Sequence, residues 1–269
     1  MRFVTFDQGG RRRLGALLDD QVVDLPALVG HPAFPSTLEG LVRRNGGSVL
    51  AAAEAALGRE DATSHAVADA RLLAAVVPGS LRSPDASDAE RSLAGPDADI
   101  AWPEDAGWLE VRPRVAVVLR RGLDGAADRE VPDAVFGFLL LADWRVVGTD
   151  GVASSVEAAP LAIGPVVATA DAFDPATAML RLVLDGEVVL ERPLNGAVSR
   201  LRRDVAAASR IAPLEAGDAF ASAALASGAE RIWPGATVEV SLDGVGALRA
   251  AVGRAERRPV LSAPTPTSR

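Results

Sequence analysis

Three charged residues alternate in the phrase Glu110-Val111-Arg112-Pro113-Arg114. Alternation along a strand puts all three on one face, provided Pro113 does not bulge the chain. Two guanidiniums side by side can clamp a carboxylate or an enolate through charge-assisted hydrogen bonds. A second phrase, Asp143-Trp144-Arg145, carries a carboxylate, an indole and another cation. Asp143 could act as a general base or orient an arginine, while Trp144 and Arg145 could supply stacking and charge to a bound acid. Together these residues suggest acid–base or enolate chemistry on a small anionic organic molecule.

Other chemistries lack their residues. The chain has no cysteine, lysine or tyrosine, and all 28 basic residues are arginine. That removes disulfides, thiolate metal sites, lysine Schiff bases and tyrosine acids. Ser154-Ser155 has no nearby histidine and no Gly-x-Ser-x-Gly elbow. The two histidines, His31 and His65, fall in the leading segment and read as surface or linker residues. Dinucleotide, P-loop and His-Glu-x-x-His motifs are absent. The acidic stretch with Asp85, Asp88, Glu90, Asp97, Asp99, Glu104 and Asp105 lacks the spacing of a calcium loop and reads as solvated chain. A formal charge of −8 argues against nucleic acid, so runs such as Arg11-Arg12-Arg13 read as solvated faces. No apolar run approaches the roughly 20 residues of a membrane span, and the cysteine-free composition suits the cytoplasm.

The elements that must hold these residues are mostly strands. Val115–Leu119 continues the first charged phrase, and Gly137–Ala142 leads into Asp143. Further strands are expected at Pro165–Thr169, Leu180–Leu184, Val188–Leu190, Thr237–Leu242 and Leu248–Val252, with Asp185-Gly186 as a hairpin turn. A helix over Gly196–Ile211 presents Val198, Leu201, Val205 and Ala208 at helical spacing, a core face. Ahead of all this, strands at Arg2–Phe6, Leu14–Leu18 and Gln21–Leu25 precede two helices. The first opens at Ser36 with Glu39 completing a capping box and stops at Gly46-Gly47; the second runs from Ser48 to Leu57. This predicts a small α+β domain over residues 1–75, a proline-punctuated extended stretch over 78–106, a larger domain over 76–258, and a disordered tail over 259–269.

The order of several phrases resembles the fumarylacetoacetate hydrolase superfamily. Ser92-Leu93-Ala94-Gly95-Pro96, Ile100-Ala101-Trp102-Pro103, the Val115–Leu119 strand, Gly137-Phe138 before Ala142-Asp143, and Gly164-Pro165 carry it. So do Leu184-Asp185-Gly186-Glu187, Leu214-Glu215-Ala216-Gly217-Asp218 and Trp233-Pro234-Gly235-Ala236 leading to Gly244-Val245-Gly246-Ala247-Leu248. The likeness covers residues 1–253. It implies an α+β chain with a mixed β-roll or β-sandwich carboxy-terminal domain, a small α+β leading domain and a homodimer. Members hydrolyse, decarboxylate, hydrate or isomerise β-diketo and 2-oxo acids with Mg or Mn held by three carboxylates.

Against that pattern the chain departs at three places. The first two metal ligands of the family, a Glu-x-Glu ahead of the Val-rich strand, correspond here to Arg112 and Arg114, and the third corresponds to Asp143. A shift in register could bring Glu110 in, but Arg112 would keep the next position. The loop with the family's water-activating His and Glu has too few residues between Pro78 and Ser92 and no histidine. The substrate loop reads Ser222-Ala223-Ala224-Leu225, and Ser155 or a neighbour replaces a basic residue. The expectation is no metal cofactor and metal-independent handling of a small 2-oxo or β-diketo acid by Glu110, Arg112, Arg114 and Asp143. In that reading Trp144, Arg145 and Ser155 contact the substrate. The alternative is a non-catalytic relative kept as a binding or dimeric structural partner, its arginines filling the place of the metal.

Overall fold

The computed structural model describes residues 1–44, 47–58, 64–84, 92–154, 159–194, 196–226 and 230–253. Ser155, Asp85, Asp88, Glu90 and the 259–269 tail lie outside the described residues.

The leading segment forms β1 (Arg2–Gln8), β2 (Arg11–Leu18), β3 (Gln21–Asp24), α1 (Leu25–Val29), α2 (Leu38–Arg43), α3 (Gly47–Leu57), β4 (Ser64–Ala66) and β5 (Leu72–Leu73). Short strands β6 (Leu81–Arg82), β7 (Leu93–Ala94) and β8 (Asp97–Ile100) follow. Next come β9 (Ala106–Leu119), α4 (Val131–Ala134), β10 (Val135–Gly148), β11 (Ala153–Ser154), β12 (Leu161–Ile163) and β13 (Val166–Thr169). The remaining elements are β14 (Met179–Leu184), β15 (Glu187–Pro193), α5 (Ala197–Ile211), β16 (Ala219–Ala221), β17 (Thr237–Leu242) and β18 (Gly246–Val252). Among the described residues no helix is long and apolar enough to cross a membrane.

The strands make two sheets. The larger runs β4-β3-β2-β1-β13-β10-β9-β16-β6, with β5, β7, β11 and β12 attached beside this path. The smaller has the order β15-β14-β17-β18-β8. Because β1 pairs with β13, the leading strands extend the same sheet that carries the charged phrases.

Strands β9 and β10 form the spine, antiparallel and in register from Glu110–Arg145 through Val117–Phe138. Both of their faces are covered. Val115, Val117, Leu140 and Trp144 belong to one apolar cluster, which also takes in the inner residues of β14, β17 and β18 and the Leu201–Val205 face of α5. Ala116, Val118, Leu139 and Leu141 belong to the other, with Phe3, Leu14, Leu38 and Leu41. A strand buried on both sides reads as a continuous apolar run, which is what Phe136–Ala142 is. Gly137 sits where β10 crosses β13, and a Cβ there would fall 2.4 Å from the Ala168 carbonyl oxygen. The Asp185-Gly186 turn between β14 and β15 has φ of 51° and 87°, the left-handed pair that a tight hairpin needs.

Three expectations from the sequence need correction. The α2 cap is Thr37, whose hydroxyl accepts from Gly40 N, rather than Ser36. Ser36 is engaged elsewhere, its carbonyl accepting from Leu14 N. Glu39 does not close a capping box; its Oε1 accepts from Arg12 Nη2 at 2.9 Å and Val77 N at 2.8 Å. The third strand stops before Leu25, because Asp24 caps a short helix with Pro26 in its first turn.

Candidate functional site

Arg112 and Asp143 are directly opposed across β9 and β10, Arg114 faces Leu141, and Glu110 faces Arg145. Opposed residues of an antiparallel pair share a face, so all of these charged side chains lie on the side of the sheet that carries Leu141 and Ala116. Pro113 does not disturb this alignment. Its carbonyl accepts from Leu225 N, and the nitrogen of a strand residue points the same way as its carbonyl. The missing N–H of Pro113 therefore falls on the side of the 222–225 segment, and the ladder to β10 stays in register.

The structure brings Arg112, Arg114 and Asp143 into one cluster. Asp143 Oδ2 accepts from Arg112 Nη2 at 2.5 Å, from Arg114 Nε at 2.9 Å and from Arg114 Nη2 at 2.7 Å. Arg114 Nη1 donates to the Ser222 carbonyl at 2.8 Å. Side-chain exposure is 2% for Arg114 and 1% for Asp143, against 13% for Arg112. Buried charges are tolerated only when they are closely paired, as Asp143 is here by two guanidiniums. Arg114 is thus committed to holding Asp143 and the 222–225 segment, while Arg112 is the more accessible cation.

The remaining expected residues divide. Glu110 is on the cluster's face, and its Oε1 accepts from Trp108 Nε1 at 3.3 Å. Arg145 shares that face opposite Glu110. Trp144 points the other way, 1% exposed within the larger apolar cluster, and does not join the charged residues. His31 Nδ1 accepts from Ala33 N on the surface, and His65 lies beside Phe6, so neither enters the cluster. Sequence reasoning missed Trp108 and Arg231, whose guanidinium carbon sits 4.4 Å over the Trp108 ring. Trp108 continues the 110-112-114 alternation by one step; nothing local marks Arg231.

The donor set does not fit a hard divalent cation. Mg and Mn take oxygen ligands, whereas two of these three groups are guanidiniums without a lone pair to offer, and both bond the one carboxylate. Among the described residues no group of three or more His, Cys, Asp or Glu side chains could hold a metal ion.

Known proteins share the fold that carries this site. Maleylpyruvate hydrolase from Sphingobium sp. SYK-6 superposes with a TM-score of 0.76 at 24% identity, covering 94% of this chain and 100% of that one. The same hydrolase is also known in complex with manganese(II) and pyruvate. Fumarylacetoacetate hydrolase from Exiguobacterium antarcticum gives 0.73 at 21% identity, over 94% and 99% of the two chains. 5-Carboxymethyl-2-hydroxymuconate delta-isomerase from Mycobacterium smegmatis gives 0.67 at 17%, over 94% and 100%. At these identities the likeness is one of fold. No curated protein sequence matches the chain significantly. Residues 84–253, more than half of the chain, match the sequence model for the fumarylacetoacetate (FAA) hydrolase C-terminal region. The chain belongs to the fumarylacetoacetate hydrolase family.

Proposed function

We propose that the protein binds a small 2-oxo or β-diketo acid without a divalent metal, the Arg112–Arg114–Asp143 cluster supplying the positive centre. The observation that supports this reading is the convergence of both guanidiniums on Asp143 Oδ2. Three carboxylates around a divalent ion sum to −1, whereas two arginines and one aspartate sum to +1. Guanidiniums in the place of carboxylates suit an anionic ligand directly, through hydrogen bonds in place of metal coordination. Arg112, the more exposed arginine, is the group that meets the ligand's carboxylate or a developing enolate.

Asp143 makes a poor base in this arrangement, because three donor bonds from two cations stabilise its ionised form. Its role is to orient the arginines. If the site turns over its ligand, Glu110 on the same face is the carboxylate that takes the proton, with Arg145 opposite it as the further cation. The solved relatives named above include hydrolases and an isomerase of small carboxylates, which is the class of reaction this reading assigns.

A second reading is favoured by the burial of Arg114 and Asp143 and by the commitment of Arg114 to protein groups. In it the cluster replaces the metal only structurally, and the chain serves as a non-catalytic, homodimeric relative. Thermal unfolding with Mg, Mn, EDTA and a panel of 2-oxo and β-diketo acids separates the two. A shift with an organic acid that is unaffected by EDTA and lost in Arg112→Gln supports the ligand site. No shift with any acid supports the structural role, and a shift with Mn or Mg overturns both.

A further inference from the structure

We propose that the cavity between the start of α5 and the 222–225 segment binds a small multivalent anion, one with two or more anionic oxygens on a phosphoryl group or a dicarboxylate. The cavity encloses about 480 Å³, and its walls include Arg192, Arg200, Arg203 and Ser199 and, among the described residues, no acidic one.

Arg200 and Arg203 are three apart on α5 and so lie on one face of the helix. Both are exposed, and neither makes an ion pair among the described residues. The opposite face of α5, with Leu201, Val205 and Ala206, is sealed into the core, which fixes the rotation of the helix and holds both arginines at the cavity. Arg192 approaches from β15, its Nη1 donating to the Leu225 carbonyl at 2.8 Å. Three guanidiniums around one space, with no counter-charge on its walls among the described residues, repel one another, and an anion with several oxygens relieves that repulsion while using their forked donors. The hydroxyl of Ser199 adds a neutral donor on the same wall.

This site is separate from the Arg112 cluster and does not rest on the ligand proposed there. The 222–225 segment forms the partition. On one side the Ser222 carbonyl accepts from Arg114, and on the other the Leu225 carbonyl accepts from Arg192.

The test is calorimetric titration of the full chain with inorganic phosphate and with succinate, each against potassium chloride at matched ionic strength. Wild type, Arg200→Gln/Arg203→Gln and Arg112→Gln are compared, with melting curves to verify that both variants fold. Saturable binding is expected for at least one dianion, weakened roughly tenfold or more in the double variant and unchanged in Arg112→Gln. Tighter binding of phosphate identifies a phosphoryl ligand; tighter binding of succinate identifies a dicarboxylate. Heats that chloride reproduces, binding that survives the double substitution, or binding lost only in Arg112→Gln would each overturn the proposal.

Discussion

Arg112 and Asp143 stand opposite each other on β9 and β10, with Nη2 of the first 2.5 Å from Oδ2 of the second. Asp143 thereby pairs with both Arg112 and Arg114. Its removal takes from both guanidiniums a buried carboxylate in the middle of the β9–β10 ladder. Asp143→Asn should cost about 3–5 kcal/mol of unfolding free energy, because an uncompensated buried charge is far worse than the pair it came from. Urea denaturation measures it; a loss under about 1 kcal/mol would show that the pairing contributes little.

Arg112→Glu combined with Arg114→Glu places three carboxylates where the cluster now stands. The double variant should gain a Mn-dependent rise in melting temperature that EDTA reverses, worth about 2.7 kcal/mol at a hundredfold excess over the dissociation constant. The wild type should show no such rise. A variant that folds yet ignores Mn would mean that these positions cannot assemble a metal site.

At the crossing of β10 with β13, Gly137→Ala should destabilise by about 1–3 kcal/mol, since the new methyl meets the backbone oxygen of Ala168 rather than a movable side chain. Gly137→Ala and an alanine at a surface glycine such as Gly47, where a Cβ meets nothing, form a matched pair. Equal melting temperatures for the two would contradict the close approach.

Thr37→Ala should cost about 1 kcal/mol through loss of the α2 cap, and Ser36→Ala much less. Comparing the midpoints of the two variants checks which hydroxyl caps the helix.

The Asp171 carboxyl is held below its ordinary value, chiefly by the neighbouring Thr169 side chain. A lowered folded-state value means that the stabilisation is complete above the ordinary carboxylate range and is lost as pH falls through the lowered value. Thr169→Val should therefore flatten the acid limb of the stability profile slightly, Asp171 being mostly exposed. An unchanged limb between about pH 5 and 2 would assign the acid sensitivity to other carboxylates.

Much of this was legible in the residues themselves. The 110-112-114 alternation determined a shared face, and the family-like order of phrases brought Asp143 to it. Trp144 was harder to read. Its place beside Asp143 in sequence suggested a shared site, but strand alternation sends neighbours to opposite faces, and the indole went to the core. Ser36 and Thr37 are both good caps by type; the helix starts at Leu38, one residue later than the Ser36 cap implies, and the hydroxyl of Thr37 takes the role. Arg231 reaches Trp108 from the far end of the chain, which only the folded topology can reveal.

The neighbours Asp143 and Trp144, set on opposite faces of β10, have a consequence for how the chain finds its pairing. A slip of β10 by one residue against β9 would exchange them, driving a carboxylate into hydrocarbon and leaving an indole among guanidiniums. Misaligned pairings are therefore penalised twice, once by unpaired charge and once by lost apolar burial. The charged cluster and the buried indole together disfavour every odd register of this strand pair.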